Sequence, residues 1–246
     1  MKIVAIIPAR YGSSRFPGKP LADICGKPMI WWVYNQVKKV EDFDEVYVAT
    51  DDDRIKNKCN EYNINVLMTK NNHNTSTERV FEVAQKIKAD LYAVINGDEP
   101  LINPNLIKRI IPKKEINENF YVANIMSEIK NPVEVVDFTN IKVVTDKDNY
   151  ALYFSRSPIP YPKSSMNYKY YKHVGILIYT YEALKFFSNT KKGELEKIED
   201  VNEIRFLENG KKIKMIKVNN QKSLSVDTPK DLEKVISIIE KGKHND

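Results

Sequence analysis

Eleven residues near the start of the chain concentrate groups that can handle an anion. Arg10-Tyr11-Gly12-Ser13-Ser14-Arg15-Phe16-Pro17-Gly18-Lys19-Pro20 holds three fixed cations, two serine hydroxyls and two glycines. Phosphate oxygens are met by such a set: amides freed by glycine, hydroxyl donors, and Arg or Lys to neutralise charge. The Walker pattern GxxxxGK[ST] is not present. Gly12 and Gly18 stand one residue too far apart, and Pro20 occupies the Ser or Thr position. A GxGxxG dinucleotide fingerprint is missing too. A solvated basic turn is the plain alternative. Three cations directly after the first apolar run favour phosphate binding.

Two carboxylates come next. Asp98 follows an apolar run in Asn96-Gly97-Asp98-Glu99-Pro100, where Gly97 allows a tight turn. Asp227 precedes the last helical stretch in Val226-Asp227-Thr228-Pro229. Each lies at an expected strand end, so both can meet at one ligand. A Mg²⁺ ion takes few carboxylates and completes its shell with phosphate oxygens and water. Asp227 also reads as a helix N-cap. No Ser-His-Asp or Cys-His set is evident.

The elements that must position these groups follow from apolar periodicity. Lys2 to Ile7 is a continuous, β-branched apolar run, as in a strand buried on both faces. Glu45–Thr50, Asn65–Met68 and Leu91–Ile95 read as further strands. Met29–Val40, Arg54–Tyr62 and Thr77–Ile87 read as helices, with Thr77 as a cap. This alternation predicts a parallel sheet covered by helices. In such sheets ligands sit at the carboxyl ends of strands, where the loops after Ile7, Val48 and Ile95 fall. After Pro104 the pattern turns irregular. Strands are expected at Tyr121–Ser127, Ile141–Thr145, Ala151–Ser155, Val174–Tyr179 and Lys214–Val218. Tyr161–Tyr171 reads as a loop, Glu194–Asn209 as one helix, and Thr228–Gly242 as a closing helix with Pro229 in its first turn.

Composition narrows the class. The 246 residues are 42% hydrophobic, enough for a packed core and too apolar for a disordered tail. Two cysteines, Cys25 and Cys59, exclude a disulfide framework and suit a reducing cytoplasm. No run approaches the roughly 18 apolar residues of a membrane span, and no secretory signal is visible, so a cytoplasmic protein with no membrane partner is expected. The net charge of +6 invites a nucleic-acid reading. Lysines alternate with acids, as in Glu194 to Glu203, so no basic stripe forms and nucleic acid is not expected as a partner. Trp31-Trp32 reads as helix–sheet packing, and the two thiols as inert.

The run IIPARYGSSRFPGKPLADICGKPMI closely resembles the signature of the CMP-Kdo synthetases, the 3-deoxy-manno-octulosonate cytidylyltransferases. The resemblance continues through HNTSTERV (73–80), NGDEP (96–100), IKVVTDKDNYALYFSRSPIP (141–160), KHVGI (172–176), ELEKIE (194–199) and VDTPKDLEKV (226–235), in order along nearly the whole chain. It implies an α/β fold: a mostly parallel, Rossmann-like nucleotidyltransferase (GT-A-like) sheet with helices on both faces. One domain spans 1–246, and a mixed β-lobe over roughly 120–175 serves sugar binding and dimerisation. The implied reaction is CTP plus a 2-keto sugar acid giving CMP-sugar and pyrophosphate, with Mg²⁺ as cofactor and a homodimer as the working form.

The resemblance also implies roles. Lys19, Arg10 and Arg15 are the catalytic candidates. Pro8, Ala9, Arg10, Ser13, Ser14, Lys19, Ser76, Thr77, Gly97 and Asp98 line the nucleotide. Asp98 and Asp227 hold the metal. Arg79, Asn96, His173, Leu177, Asn202 and Glu203 face the sugar, and Lys142, Ser155 and Arg156 line the site or a dimer contact. His73 alone reads as a solvent-exposed loop residue. Departures from the family pattern fall on the sugar side. Asn96 replaces Gln, Leu177 replaces Tyr, and Asn202 and Glu203 replace Glu and Gln; Ser76, which replaces Gly, lies with the nucleotide residues. A shortened amide and a lost phenol change which hydroxyls a site can satisfy. An amino-Kdo or related acid is therefore the alternative acceptor. The loop RYGSSRFPGKPL differs from the RGGSKGIPGKN type of sialate enzymes.

Overall fold

The computed structural model describes all residues except 13–15, 117, 166, 220–223 and 244–246. The chain forms two compact units. One comprises Met1–Lys108 with Lys222–Asp246, the other Arg109–Gln221.

The first unit is built on four parallel strands. β1 (Ile3–Ala9) pairs with β4 (Glu45–Thr50) on one side and β6 (Leu91–Ile95) on the other, and β4 pairs with β5 (Val66–Met68). Every residue of β6, and every residue of β1 except Pro8, is buried. Consecutive burial along a strand requires cover on both faces, which accounts for the unbroken apolar runs. The cover includes α1 (Met29–Lys38), α2 (Asp53–Glu61) and α3 (Ser76–Lys86). Between β1 and α1 lie a short 3₁₀ turn, Lys19–Leu21, and a small hairpin of β2 (Asp23–Ile24) and β3 (Lys27–Pro28). α4 (Pro104–Lys108) closes this stretch, and α9 (Pro229–Lys243) returns to it.

That return brings the two ends of the sequence together. Val226, Val235 and Ile239 pack with Ile24 and Met29, and Phe16 and Trp32 border the cluster. Burying such aliphatic side chains is worth about 1.5–3 kcal/mol each. Trp32 is thereby a packing residue, and its Nε1 donates to the Ile24 carbonyl at 3.0 Å.

The second unit carries a mixed sheet. β7 (Val122–Glu128) pairs in parallel with β11 (Lys214–Val218) and antiparallel with β10 (Tyr171–Tyr179). β8 (Lys142–Thr145) pairs antiparallel with β9 (Ala151–Ser155), and Lys142 with Lys172 of β10. The helices are α5 (Pro132–Val136), α6 (Tyr181–Asn189), α7 (Glu194–Glu199) and α8 (Ile204–Glu208).

Three local readings are corrected. Thr75, not Thr77, caps α3. Its hydroxyl accepts from the Glu78 amide while the Glu78 carboxylate accepts from the Thr75 amide, a reciprocal capping box. The single helix expected over Glu194–Asn209 is two helices. Asp200 adopts left-handed dihedrals (φ 50°), which aspartate tolerates, and Arg156 takes the Glu199 and Asp200 carbonyls at the break. β10 begins at Tyr171, inside the Tyr161–Tyr171 stretch read as a loop.

Candidate functional site

The carboxyl ends of β1, β4 and β6 lie side by side because the three strands are parallel and in register. Pro8 and Ala9 end β1. Asn96 and Gly97 follow β6. A Cβ on Gly97 would sit 3.1 Å from the Pro8 carbonyl oxygen, so the backbones approach more closely there than a side chain permits.

The basic loop is drawn in at its neck. The Gly18 amide donates to the Tyr11 carbonyl at 2.9 Å, and the Lys19 amide to Phe16 at 3.2 Å. Gly18 has φ +72°, and a Cβ there would press on the Tyr11 ring at 3.1 Å. Both features favour glycine there. The 3₁₀ turn that follows aims Lys19 back across the strand ends.

Lys19 Nζ lies 3.0 Å from Asp98 Oδ2 and 3.4 Å from Asp227 Oδ1. All three side chains are partly exposed, at 15%, 25% and 31%. Two features place Asp227 there. The Val226 amide donates to the Asp98 carbonyl at 2.8 Å, and α9 is anchored through Val226, Val235 and Ile239. The cap of α9 is Thr228. Its amide and hydroxyl donate to Asp231, and the Asp231 amide donates back to its hydroxyl. The N-cap reading of Asp227 therefore gives way, and its carboxylate faces Lys19.

Beside this centre is a cavity of about 440 Å³ lined by Arg10, Tyr11, Gly12, Asp51, Asp52, Arg54, Asn71, His73 and Arg79. Arg79 is buried, and its Nη2 donates to Asp51 at 3.0 Å while Nη1 donates to the Thr69 hydroxyl. A buried guanidinium needs such pairing to offset desolvation. His73 is also drawn in: Nε2 lies 2.6 Å from Glu82. Burial pushes the Glu82 carboxyl up, but hydrogen bonds from Lys86, the Lys70 amide and His73 outweigh it and hold it down at about 2. The signal for His73 was its distance of nine residues from an acid one helical turn beyond the Ser76–Arg79 segment, which periodicity alone does not single out. Ser76 and Thr77 open α3, with Thr77 buried. Ser13, Ser14 and Arg15 lie outside the described residues.

The remaining candidates belong to the second unit. His173 is partly buried and stacked edge-on against Phe154, and burial lowers it to about 4, so the ring is neutral at pH 7. Its Nδ1 lies 3.2 Å from the Val174 carbonyl, which can only accept, so Nδ1 carries the proton and Nε2 offers a lone pair. Leu177 is buried in β10. Asn202 is partly exposed at the α7–α8 break, and buried Glu203 is raised to about 7 by desolvation. Lys142 is fully buried, its ammonium donating to the carbonyls of Asp137, Asn140 and Arg156. The Ser155 hydroxyl and Arg156 amide both donate to Glu199.

Among the described residues no group of three or more His, Cys, Asp or Glu side chains is arranged to hold a metal. The Asp98–Asp227 pair, with hard oxygen donors converging on one cation, suits an ion that takes few carboxylates. Among the described residues no helix is long and apolar enough to cross a membrane.

A basic loop and paired carboxylates at the carboxyl edge of a parallel sheet are the arrangement of a nucleotide-handling α/β protein. A family model described as Cytidylyltransferase matches residues 4–213. The 3-deoxy-manno-octulosonate cytidylyltransferase of Fusobacterium nucleatum is 41% identical over 243 residues, 98% of each chain. The 8-amino-3,8-dideoxy-manno-octulosonate cytidylyltransferase of Shewanella baltica is 42% identical over 238 residues, 95% of this chain and 97% of that one. A solved CMP:2-keto-3-deoxy-manno-octonic acid synthetase complexed with CTP superposes with a TM-score of 0.92 at 39% identity, covering 98% of this chain and 100% of that one. The chain belongs to the cytidylyltransferase family, and within it to the 3-deoxy-manno-octulosonate cytidylyltransferases.

Proposed function

We propose that this chain activates 3-deoxy-manno-octulosonate: CTP and the sugar acid give CMP-sugar and pyrophosphate. The anomeric 2-hydroxyl attacks the α-phosphorus of CTP and gives up its proton to water. The bond from that phosphorus to the oxygen bridging to the β-phosphorus breaks, and pyrophosphate leaves. No covalent enzyme intermediate is needed, so rate enhancement comes from positioning and charge neutralisation. The observation that carries this reading is Lys19 held between Asp98 and Asp227 at the strand ends.

Lys19, with Arg10 and Arg15, neutralises the triphosphate. Pro8, Ala9, Ser13, Ser14, Ser76, Thr77 and Gly97 line the nucleotide. Asp98 and Asp227 would hold Mg²⁺. When bound, the ion supplies charge neutralisation on the phosphate oxygens. Arg79, Asn96, His173, Leu177, Asn202 and Glu203 are the acceptor-side residues. The neutral His173 accepts a hydroxyl hydrogen at Nε2. The protein works as a cytoplasmic homodimer.

A second acceptor has a specific basis. The relative named for the 8-amino sugar is as similar as the relative named for Kdo itself. The test is competition: equal amounts of Kdo and 8-amino-Kdo with limiting CTP and Mg²⁺, and mass spectrometry of the CMP-sugars. Predominant CMP-Kdo supports the first reading, and predominant CMP-8-amino-Kdo supports the second. Neither product would overturn both.

A further inference from the structure

We infer that Arg54 and Tyr11 form one positioning device, a stacked pair that sets the basic loop for the nucleotide; this rests on the cytidylyltransferase reading above. The Arg54 guanidinium carbon lies over the Tyr11 ring, 3.3 Å from its centroid. It is oriented from behind by Asp52, whose two oxygens take Nε at 3.0 Å and Nη2 at 2.6 Å. Asp52 is itself fixed, because it caps α2 by accepting from the Arg54 amide at 2.9 Å. The stack is therefore tied to a helix end at the carboxyl edge of β4.

At the hydroxyl end of the same ring, a Cβ on Gly18 would lie 3.1 Å from Cε2 and Cζ, so the glycine leaves room for the ring. The Tyr11 carbonyl also accepts from the Gly18 amide. Tyr11 thus joins Arg54 to the residue before Lys19, and it directly follows Arg10. The chain runs Asp52, Arg54, Tyr11, Gly18, Lys19, Asp98, each step a contact or a covalent neighbour. Arg54 is 59% exposed on its side chain, so its pairing does little for the core. A guanidinium on a partly exposed aromatic ring is a modest interaction.

The experiment measures CTP affinity by calorimetry and melting temperature for the full chain and for Arg54→Ala, Tyr11→Ala, Tyr11→Phe and the Arg54→Ala/Tyr11→Ala double variant. Arg54→Ala should weaken CTP binding about two- to fivefold at an unchanged melting temperature, the range expected of an exposed cation–π pair. Tyr11→Ala should weaken it more, and Tyr11→Phe should restore most of the loss. The double variant should be no worse than Tyr11→Ala alone, because the residues act as a unit. Additive losses would mean that Arg54 touches the nucleotide on its own, and the inference would fall. Unchanged affinity in Arg54→Ala would overturn it as well. A wild-type chain that does not bind CTP would sink the cytidylyltransferase reading instead, a separate result.

Discussion

Lys19 Nζ stands 3.0 Å from Asp98 Oδ2, although 79 residues separate them. Register explains the meeting. β1 and β6 are adjacent parallel strands, so the loops after them share one edge; Asp98 lies three residues past β6, and the Gly18–Tyr11 hydrogen bond draws the loop together ahead of Lys19. Lys19 is thus held at that edge, before the triphosphate arrives, by the same two carboxylates that would hold Mg²⁺.

Lys19→Met should fold normally and lose about 10²- to 10³-fold in kcat, the range for removing one preorganised charge donor. Steady-state pyrophosphate release and circular dichroism check it together. Retention of most activity would remove Lys19 from the mechanism.

Asp98→Ala and Asp227→Ala should each nearly abolish turnover, and chelation of Mg²⁺ by EDTA should do the same to the wild type. Asp98→Asn keeps the shape and removes the charge, so it should raise the Mg²⁺ concentration needed for half-maximal rate. Titration of Mg²⁺ at saturating CTP reads the shift. An unchanged Mg²⁺ dependence would refute the metal role of Asp98.

Thr228→Ala should act on stability instead. Removing an N-cap costs about 0.5–2 kcal/mol, and α9 carries part of the first unit's core. Urea denaturation should show that loss. Wild-type stability in this variant would mean Thr228 contributes nothing as a cap.

These contrasts show what the sequence made legible. The strands of the first unit, the basic loop and Asp98 were readable because each sits in an apolar run or immediately after one. The roles at the start of α9 were not. Asp227 and Thr228 are both good capping residues, and only the hydrogen bonds to Asp231 decide between them. The cap of α3 was in fact written in the sequence, as Thr75 three residues before Glu78, and the competing Thr77 obscured it. The break at Asp200 was hidden because apolar spacing continues through Val201 and Ile204. His73 reads as exposed, and the pairing of Arg79 goes unread, because their partners, Glu82, Asp51 and Thr69, come from other turns or strands.

The second unit should show opposed pH effects. Glu203 is raised from 4.5 to about 7 by burial. The folded state holds this proton more tightly, so its stability contribution is full below about pH 4.5 and is lost as pH rises to about 7. The size is about 3 kcal/mol at 1.36 kcal/mol per unit. His173 runs the other way. Lowered by burial to about 4, it costs stability as pH falls below about 6.5. Glu203→Gln removes only the first effect. Relative to wild type, its stability should improve on going from pH 5 to pH 8. A constant difference in urea-derived stability across that range would contradict the raised carboxyl.

Removing one partner of the buried Glu196–Arg205 pair should be costly. The carboxylate takes both Nε and Nη2 at 2.7 Å, and the guanidinium stacks on Phe187. Glu196→Ala leaves a buried charge without its carboxylate and should cost about 3–5 kcal/mol. A loss below about 1 kcal/mol in equilibrium unfolding, the level of exposed pairs, would show that the charge finds compensation elsewhere.

Pyrophosphate release from the wild-type chain with CTP, Mg²⁺ and 3-deoxy-manno-octulosonate is the most direct test of the cytidylyl transfer. One pyrophosphate should form for each CMP-sugar, none when the sugar acid is omitted, and nearly none with Asp98→Ala. Absence of release from folded wild-type protein would contradict it, as would equal release without the sugar.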